Sequence, residues 1–386
     1  MPFSPIYLDY SATTPPRPEV IELVHQTLAE NWGNASSLHR WGSRAAWVLE
    51  RARLQVATLL NVPDPDTIVF TSGGTEANNL ALFGVTRCYK LPQHLIISSV
   101  EHSAISEPVR YLESQGWQVT RLGVDRQGRV HPQDLAMALQ PNTVLVSIIY
   151  GQSEVGTLQP IPELAALARR QGVLFHTDAV QVAGRLPLDL AALPVDLLSL
   201  SGHKFYGIQG AGALYIRGGL TLPPLLLGGG QERQLRSGTQ AIAAIAALGL
   251  AAELAQQELP TETERLTQLR DYLFAQLADC PLLTPSGDRH YRLPHHLSFV
   301  VNPPLTGKKI VRALDALGIG ISAGTACHSG KLQASPILLA LGYSLPEALG
   351  GIRLTLGRQT TRADLDHTAQ QLKEVIHQSR LSLHCS

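Results

Sequence analysis

Short apolar runs rich in valine and isoleucine recur along the chain from residue 67 onward, and helical patterns separate most of them. The apolar runs are "TIVFT", "HLIISSV", "WQVTRL", "TVLVSIIY", "GVLFHTD", "VDLLSLS" and "GALYIR". Between them lie amphipathic segments such as "EANNLALFGVTRCY" and "IPELAALARRQG". Strands that are apolar on both faces are typical of a mostly parallel sheet covered by helices. The alternation therefore predicts an α/β domain over residues 15–250.

The pattern changes in the last third of the chain. "TETERLTQLRDYLFAQLADC" predicts a long amphipathic helix, "HHLSFVVN" and "GGIRLTLG" predict strands, and "RADLDHTAQQLKEVIHQSR" predicts a closing helix. We expect a smaller α+β domain formed by residues 251–386 together with residues 1–14, with a helical run at 240–258 linking the two domains. A length of 386 residues agrees with two domains, since it exceeds what one core usually holds.

Composition narrows the class of protein. Lys+Arg and Asp+Glu number 31 each, and a neutral chain without a basic run argues against nucleic acid as a partner. The start "MPFSPIYLDYSATTPP" lacks the basic flank and apolar core of a signal peptide. The apolar run at 241–252 is shorter than the ~20 residues that span a bilayer. The four cysteines form no CxxC pair and no zinc-ligand grouping, so we expect free thiols in a cytoplasmic protein without a membrane or metal site.

Polar residues follow the predicted strands where each strand ends, which is the edge at which parallel α/β sheets bind ligands. After "TIVFT", Gly74 and Thr75 begin a helix whose free N–H groups suit an anion, although a plain tight turn is the alternative. Further polar residues follow four other strands: Glu101-His102, Gln152-Ser153-Glu154, Asp178 with Gln181, and Ser201-Gly202-His203-Lys204. Taken singly, these residues have ordinary structural explanations: a surface or hydrogen-bonded histidine, a helix cap at Asp178 and a surface lysine.

Taken together, these residues match one ligand, a phosphorylated aromatic aldehyde. The helix N-terminus with Ser201 and His203 suits the phosphate, and the ring can stack on His102. Asp178 can pair with a pyridine nitrogen, and Lys204 can form a Schiff base with the aldehyde. That ligand is pyridoxal 5'-phosphate, for which an aspartate partner and a Schiff-base lysine are the expected equipment. A desolvated lysine near cations loses its proton more easily and becomes nucleophilic.

Longer motifs extend this interpretation through nearly the whole chain. They are "YLDYSATTPP", "WGNASSLHRWG", "FTSGGTEANNLAL", "EHSAI", "FHTDAVQVAG", "SLSGHKFYG", "GGGQERQLRSGT", "AGTACHSG" and "IRLTLGR". In these motifs the chain resembles the cysteine desulfurases of the NifS/IscS type, among the class V aminotransferase-like enzymes of PLP-dependent fold type I. The resemblance implies a large domain with a mostly parallel seven-stranded sheet, a smaller C-terminal domain and a homodimer.

The resemblance also implies roles for individual residues around the cofactor and the substrate. Lys204 is similar to the Schiff-base lysine, and His102 to a ring-stacking histidine that also relays protons. The remaining implied roles are Asp178 at the pyridinium nitrogen, Gln181 and Ser153 at the ring oxygen, Gly74, Thr75, Ser201 and His203 at the phosphate, Thr239 at the phosphate of the neighbouring subunit, and Arg353 with Asn34 at the substrate carboxylate.

Cys327, in "ISAGTACHSGKLQ", lies among small and polar residues rather than in an apolar pattern. The resemblance implies that its thiolate takes the sulfur of L-cysteine as a persulfide, releasing L-alanine, and passes it to an acceptor protein for iron–sulfur cluster assembly. His328 and Lys331 are nearby cations that favour a thiolate. An inert loop thiol is the alternative.

Two departures from the family pattern and two rival functions remain open. Gln152-Ser153 replaces the usual Asn pair, so the contact to the ring oxygen is expected only through water. The chain ends soon after the last helix, at "RLSLHCS", where iron–sulfur desulfurases carry a longer docking tail, which leaves the identity of the sulfur acceptor open.

The rival functions are a related PLP lyase or class V aminotransferase, for instance one acting on selenocysteine or cystine, and a protein that binds PLP without catalysis. An aminotransferase would keep its activity in Cys327→Ala.

Overall fold

The computed structural model describes residues 5–324 and 333–384, the last five of these as backbone alone. Its strands are β1 (Ile6–Tyr7), β2 (Ile68–Thr71), β3 (His94–Ser98), β4 (Gln118–Leu122), β5 (Thr143–Ser147), β6 (Leu174–Asp178), β7 (Leu197–Ser201), β8 (Gly212–Ile216), β9 (Leu283–Pro285), β10 (His296–Val301), β11 (Ile319–Gly320), β12 (Ser322–Ala323) and β13 (Gly351–Thr355).

The helices of the described residues alternate with these strands over the first half of the chain. They are α1 (Pro18–Glu30), α2 (Arg40–Leu59), α3 (Gly74–Thr86), α4 (Ser103–Ser114), α5 (Pro132–Ala138), α6 (Ile161–Arg170), α7 (Ile242–Gln276), α8 (Gly307–Asp315), α9 (Pro336–Ala340), α10 (Leu345–Ala348) and α11 (Arg362–His384).

The larger sheet has seven strands in the order β2-β8-β7-β6-β5-β3-β4. Strand β8 runs antiparallel to both of its neighbours, and every other pairing is parallel. All residues of β3, β5 and β7 are buried, as the continuous apolar runs of the sequence predict. The predicted α/β class with a mostly parallel seven-stranded sheet is confirmed.

Helices cover this sheet on both faces, because alternate residues of each strand point to opposite sides. Ile96 of β3 packs into one core with α2, α6 and the first half of α7. Its neighbours Leu95 and Ile97 pack into a second core with α3 and α4. The two layers fix the positions of the strand ends, where the polar residues lie.

A smaller antiparallel sheet, in the order β12-β13-β10-β9, forms a separate core with α8, α11 and the second half of α7. The N-terminal residues Ile6 and Leu8 belong to this core, since β1 pairs with β11. This arrangement agrees in kind with the expected α+β unit, and the boundaries at residues 14 and 250 stay predictions.

Helix α7 is one continuous helix, whereas the sequence divided this stretch into a linking run and a separate amphipathic helix. The exposed Pro260 lies inside it and does not end it. Within the described residues, α7 is the one helix long and apolar enough to cross a membrane, and half of its most apolar window is buried. Ile245, Leu248 and Ala252 pack in the larger core, which explains the apolar composition.

Candidate active site

A cavity of about 300 Å³ opens at the carboxyl edge of the seven-stranded sheet. Ten of the residues predicted for cofactor, substrate or catalysis line it together: Gly74, Thr75, His102, Ser153, Asp178, Gln181, Ser201, His203, Lys204 and Arg353. The topology explains this grouping, because the loops after β2, β3, β5, β6 and β7 all leave the same edge of the sheet.

Asp178 ends β6 and is buried at the floor of this cavity. One carboxylate oxygen accepts a hydrogen bond from the Asn78 side-chain amide at 2.7 Å, and the other accepts from the Val180 N–H at 3.0 Å. The carboxylate thus caps the following turn and also faces the cavity. Asn78, which the sequence reasoning missed, lies four residues after Gly74 on α3, and its buried carbonyl oxygen has no partner among the described residues.

The start of α3 presents backbone N–H groups that have no partner within the helix. A side chain at Gly74 would place its Cβ 2.7 Å from Val180 and 3.6 Å from Ser201. Only glycine therefore leaves room for a ligand to approach the backbone here. With Thr75 and Ser201 beside it, this corner of the cavity suits an anion.

His102 is the N-cap of α4, and its Nδ1 accepts the Ala104 N–H at 3.1 Å. This contact fixes the ring at the rim of the cavity. Gln152, by contrast, is buried in the loop after β5, and its side-chain oxygen accepts the Val155 N–H at 2.9 Å. Of the pair that departs from the family pattern, Ser153 alone lines the cavity.

Lys204 follows β7, and its ammonium donates to the backbone oxygens of Ser11 and Ala12, each at 2.8 Å. Burial, and then the positive charge of Arg353, lowers the pKa of Lys204 to about 8. Burial and the charge of Lys204 lower the pKa of His203 to about 4, so His203 is neutral at pH 7. The carbonyls of the N-terminal segment gave no signal in the sequence, because any residue carries them.

Arg353 enters the cavity from β13 of the smaller sheet. Its guanidinium donates to the Ser153 carbonyl at 3.0 Å and pairs with the Asp9 carboxylate at 2.6 Å. The Ser153 carbonyl also contacts the buried ring of His296 at 3.0 Å. The Arg353 guanidinium, carried by the smaller sheet, thus faces Lys204 of the larger sheet. A small carboxylate bound between them would have a bidentate partner in the guanidinium.

Two predicted residues lie outside this cavity, and one lies outside the described residues. Asn34 is exposed, and its side-chain oxygen accepts the Ser36 N–H at 2.9 Å. Thr239 is exposed in the segment before α7. Cys327, with its neighbours His328 and Lys331, falls outside the described residues, so its role stays a prediction.

Comparison with known proteins agrees with the fold and identifies the family. The Aminotransferase class-V family matches residues 6–368. "Cysteine desulfurase IscS" of Dictyoglomus turgidum is 44% identical over 380 residues, covering 97% of this chain and 95% of that protein. "Cysteine desulfurase IscS" of Methanosarcina thermophila is 40% identical over 376 residues, covering 97% and 93%. A solved structure of a NifS-like protein superposes with a TM-score of 0.90 at 33% identity, covering 97% of this chain and 99% of that one.

The family match spans most of the chain and defines a class V aminotransferase-type enzyme of the PLP-dependent group. The relatives narrow this further: the chain belongs to the cysteine desulfurase family of the IscS and NifS type. The resemblance identified in the sequence motifs is confirmed.

Proposed function

We propose that the protein is a cysteine desulfurase that removes sulfur from L-cysteine, releasing L-alanine and leaving a persulfide on Cys327. The observation that carries this proposal is the meeting of Lys204, Asp178 and Arg353 at one cavity. A nucleophilic amine, a buried carboxylate and a carboxylate-binding guanidinium are what an amino acid and a pyridine aldehyde require together.

The lining residues fit pyridoxal phosphate. Asp178 would pair with the pyridinium nitrogen. The side-chain carbonyl of Asn78, which has no partner among the described residues, leaves that end of the cavity polar. Residues at the start of α3 and after β7 would hold the phosphate: Gly74, Thr75, Ser201 and His203. His102 would stack on the ring, with Gln181 and Ser153 near its oxygen. When bound, this group supplies an electron sink that weakens the bonds of the substrate's α- and β-carbons.

The residues of the chain supply orientation and proton transfer. Arg353 would bind the carboxylate of L-cysteine, with Asn34 as a second contact, and Lys204 would move the α-proton. A lysine whose pKa is about 8 holds an appreciable neutral fraction at neutral pH, which a general base needs. The sulfur leaves the β-carbon and forms an S–S bond with Cys327, and the β-carbon takes a proton to give L-alanine.

We further propose that the enzyme is a cytoplasmic homodimer, in which Thr239 reaches the phosphate site of the second subunit. The exposed position of Thr239, outside its own cavity, supports a contact across subunits. The persulfide would pass to an acceptor protein, with iron–sulfur cluster assembly as the destination, and neither nucleic acid nor a membrane as a partner.

Intact-protein mass spectrometry tests the proposal after brief exposure to L-cysteine without reductant. We expect one added sulfur, mapped to the peptide of Cys327, together with stoichiometric L-alanine, and no added sulfur in Cys327→Ser. Cys88→Ser is the matched control and should still gain the sulfur. Release of alanine or pyruvate without sulfur on Cys327 would instead indicate a lyase. No turnover of any amino acid, despite a bound yellow cofactor, would indicate binding without catalysis.

A further inference from the structure

Arg185 lies directly behind the turn that carries Lys204. Its guanidinium donates to the Lys204 carbonyl at 3.1 Å and to the Tyr206 hydroxyl at 3.2 Å. The side chain is buried, with 3% of the residue exposed, and does not line the active-site cavity. Arg185 therefore contacts the backbone of the lysine from outside the active-site cavity.

This buried cation has no carboxylate partner within the described part of the chain: no acidic oxygen lies within 4.0 Å of its guanidinium. A second, smaller cavity is lined by Arg185 together with Glu258 and Glu262. The two glutamates are paired with Arg17 at 2.9 Å and with Arg265 at 2.7 Å, respectively. A buried charge that lacks a countercharge is costly even when it is hydrogen-bonded, so its presence calls for a reason.

The turn held by Arg185 is strained. Tyr206 has φ = 71°, in the left-handed region that a bulky residue rarely adopts. Three contacts besides Arg185 hold it there: its N–H donates to the Thr14 hydroxyl at 2.7 Å, its carbonyl accepts the Arg17 N–H at 3.1 Å, and its hydroxyl accepts the Arg358 N–H at 2.8 Å. Strain persists at functional sites when the surroundings enforce it.

We infer that Arg185 is a positioning residue for Lys204, which fixes the strained turn and supplies an uncompensated positive charge that favours the neutral, nucleophilic amine. The inference rests on the proposed function, in which Lys204 reacts with the cofactor aldehyde. A lysine beside a second cation is more readily deprotonated, and here the second cation comes from behind the turn rather than from the ligand side.

Other charged groups also face Lys204, and they bound the size of the effect. Burial and Arg353, from β13, lower the pKa of Lys204, and Arg185 acts in the same direction. Asp178 and Asp9 oppose them and raise it, while His203 in the same turn is neutral at pH 7. Arg185 is the smallest of these contributions, so removing its charge should shift the pKa of Lys204 upward by roughly half a pH unit.

The test is the rate at which pyridoxal phosphate attaches covalently to the cofactor-free chain, followed by absorbance from pH 6 to pH 10. In this reaction the Lys204 nitrogen attacks the aldehyde carbon, a C=N bond replaces the C=O bond, and one water leaves. Borohydride reduction and peptide mapping verify that Lys204 is the modified residue. In Arg185→Gln we expect the midpoint of the pH–rate profile to rise by about half a unit, which slows attachment about threefold at pH 7.

Two matched variants separate charge from geometry. Arg185→Lys keeps the charge and should keep the midpoint, while Tyr206→Phe removes the hydroxyl but no charge and should also keep it. Arg185→Met is a second neutral variant should Arg185→Gln fail to fold, and it should shift the midpoint in the same direction. An unchanged midpoint in the folded neutral variants would overturn the inference. Failure of the wild-type chain to attach the aldehyde at Lys204 would overturn the proposed function as well.

Discussion

At the scale of single residues, Arg353 illustrates how one side chain can set substrate affinity. Its guanidinium is already oriented by the Ser153 carbonyl and by Asp9. Arg353→Lys keeps the charge and loses the planar fork. We expect KM for L-cysteine to rise about 10- to 100-fold, which corresponds to the loss of about 1.5–3 kcal/mol for a charge-assisted hydrogen bond. Steady-state alanine release measures the change, and Arg121→Lys, at an exposed ion pair, should leave KM as it is.

Glu101 carries a second residue-scale prediction. The Ser98 hydroxyl and the Ile149 N–H donate to one of its oxygens, and the other oxygen is buried without a partner among the described residues. Burial raises the pKa of Glu101 to about 8. Because the folded state binds this proton more tightly than the unfolded state does, the stability it contributes is present below about pH 4.5 and is lost as the pH rises toward 8.

Glu101→Gln mimics the protonated form and removes this pH dependence. We expect the variant to unfold at a higher urea concentration than wild type at pH 8.5. Its free energy of unfolding should be higher by on the order of 2 kcal/mol at that pH and should differ little at pH 5. Glu107→Gln, on an exposed carboxylate, is the control at both pH values. A wild-type advantage at pH 8.5 would show that Glu101 is ionised in the folded protein.

At the scale of elements, the segment before α7 contains three consecutive left-handed residues, Glu232, Arg233 and Gln234, with φ of 47°, 55° and 67°. The Glu232 carboxylate is buried, pairs with Arg53 at 2.9 Å and accepts the Phe70 N–H at 2.9 Å. Such a conformation costs free energy at each residue, and the buried pair offsets that cost.

Glu232→Gln should therefore destabilise the protein by about 3–5 kcal/mol, because it leaves the buried Arg53 guanidinium with only the exposed Glu50 carboxylate as a countercharge. Chemical denaturation measures the difference. Glu50→Gln removes the exposed second partner of the same arginine, and we expect less than about 1 kcal/mol there. Equal effects of the two substitutions would contradict this account.

Helix α7 supports another element-scale prediction, since Pro260 interrupts its hydrogen-bond ladder at an exposed position. Pro260→Ala restores an N–H donor to the Gln256 carbonyl and removes the ring from the preceding turn. The substitution also makes the unfolded chain more flexible, which offsets part of this effect. We therefore expect the free energy of unfolding to rise by about 1 kcal/mol. Thermal unfolding compares it with Gln257→Ala, an exposed neighbour that should change little. A loss of stability would mean that the packing of the two cores requires the proline.

The sequence predicts the sheet well, because its buried strands are continuous apolar runs between helical patterns. It also predicts most of the cavity, since the residues after each strand meet at one edge. It divides α7 into a run ending at residue 258 and a helix beginning at residue 261, on either side of Pro260, a residue type that usually ends a helix. It misses Asn78, Asp9 and Arg185, whose roles depend on contacts between distant segments that no local pattern records.

At the scale of the whole molecule, exposed apolar side chains offer a candidate interface for the proposed homodimer. Trp32, Leu38 and Trp47 are 65%, 102% and 63% exposed, on and around the start of α2. Three large apolar side chains exposed within one stretch of sequence are a candidate for a protein–protein contact. We expect the double variant Trp32→Glu/Leu38→Glu to sediment as a monomer, and to hold pyridoxal phosphate more weakly if Thr239 completes the site of the other subunit.

Sedimentation velocity and cofactor titration compare this variant with Leu91→Glu/Met137→Glu, which alters two other strongly exposed apolar residues. The control should remain a dimer with unchanged cofactor affinity. A dimeric Trp32→Glu/Leu38→Glu variant would move the interface to another surface.

Helix α7 gives the two cores a common component. Its first half completes the core behind the seven-stranded sheet, and its second half completes the core behind the four-stranded sheet. A chimera that exchanged the C-terminal part of this enzyme with that of a relative would have to match the register of this helix as well as the sheet that follows it. A substitution that breaks this helix should therefore disturb the packing of both cores.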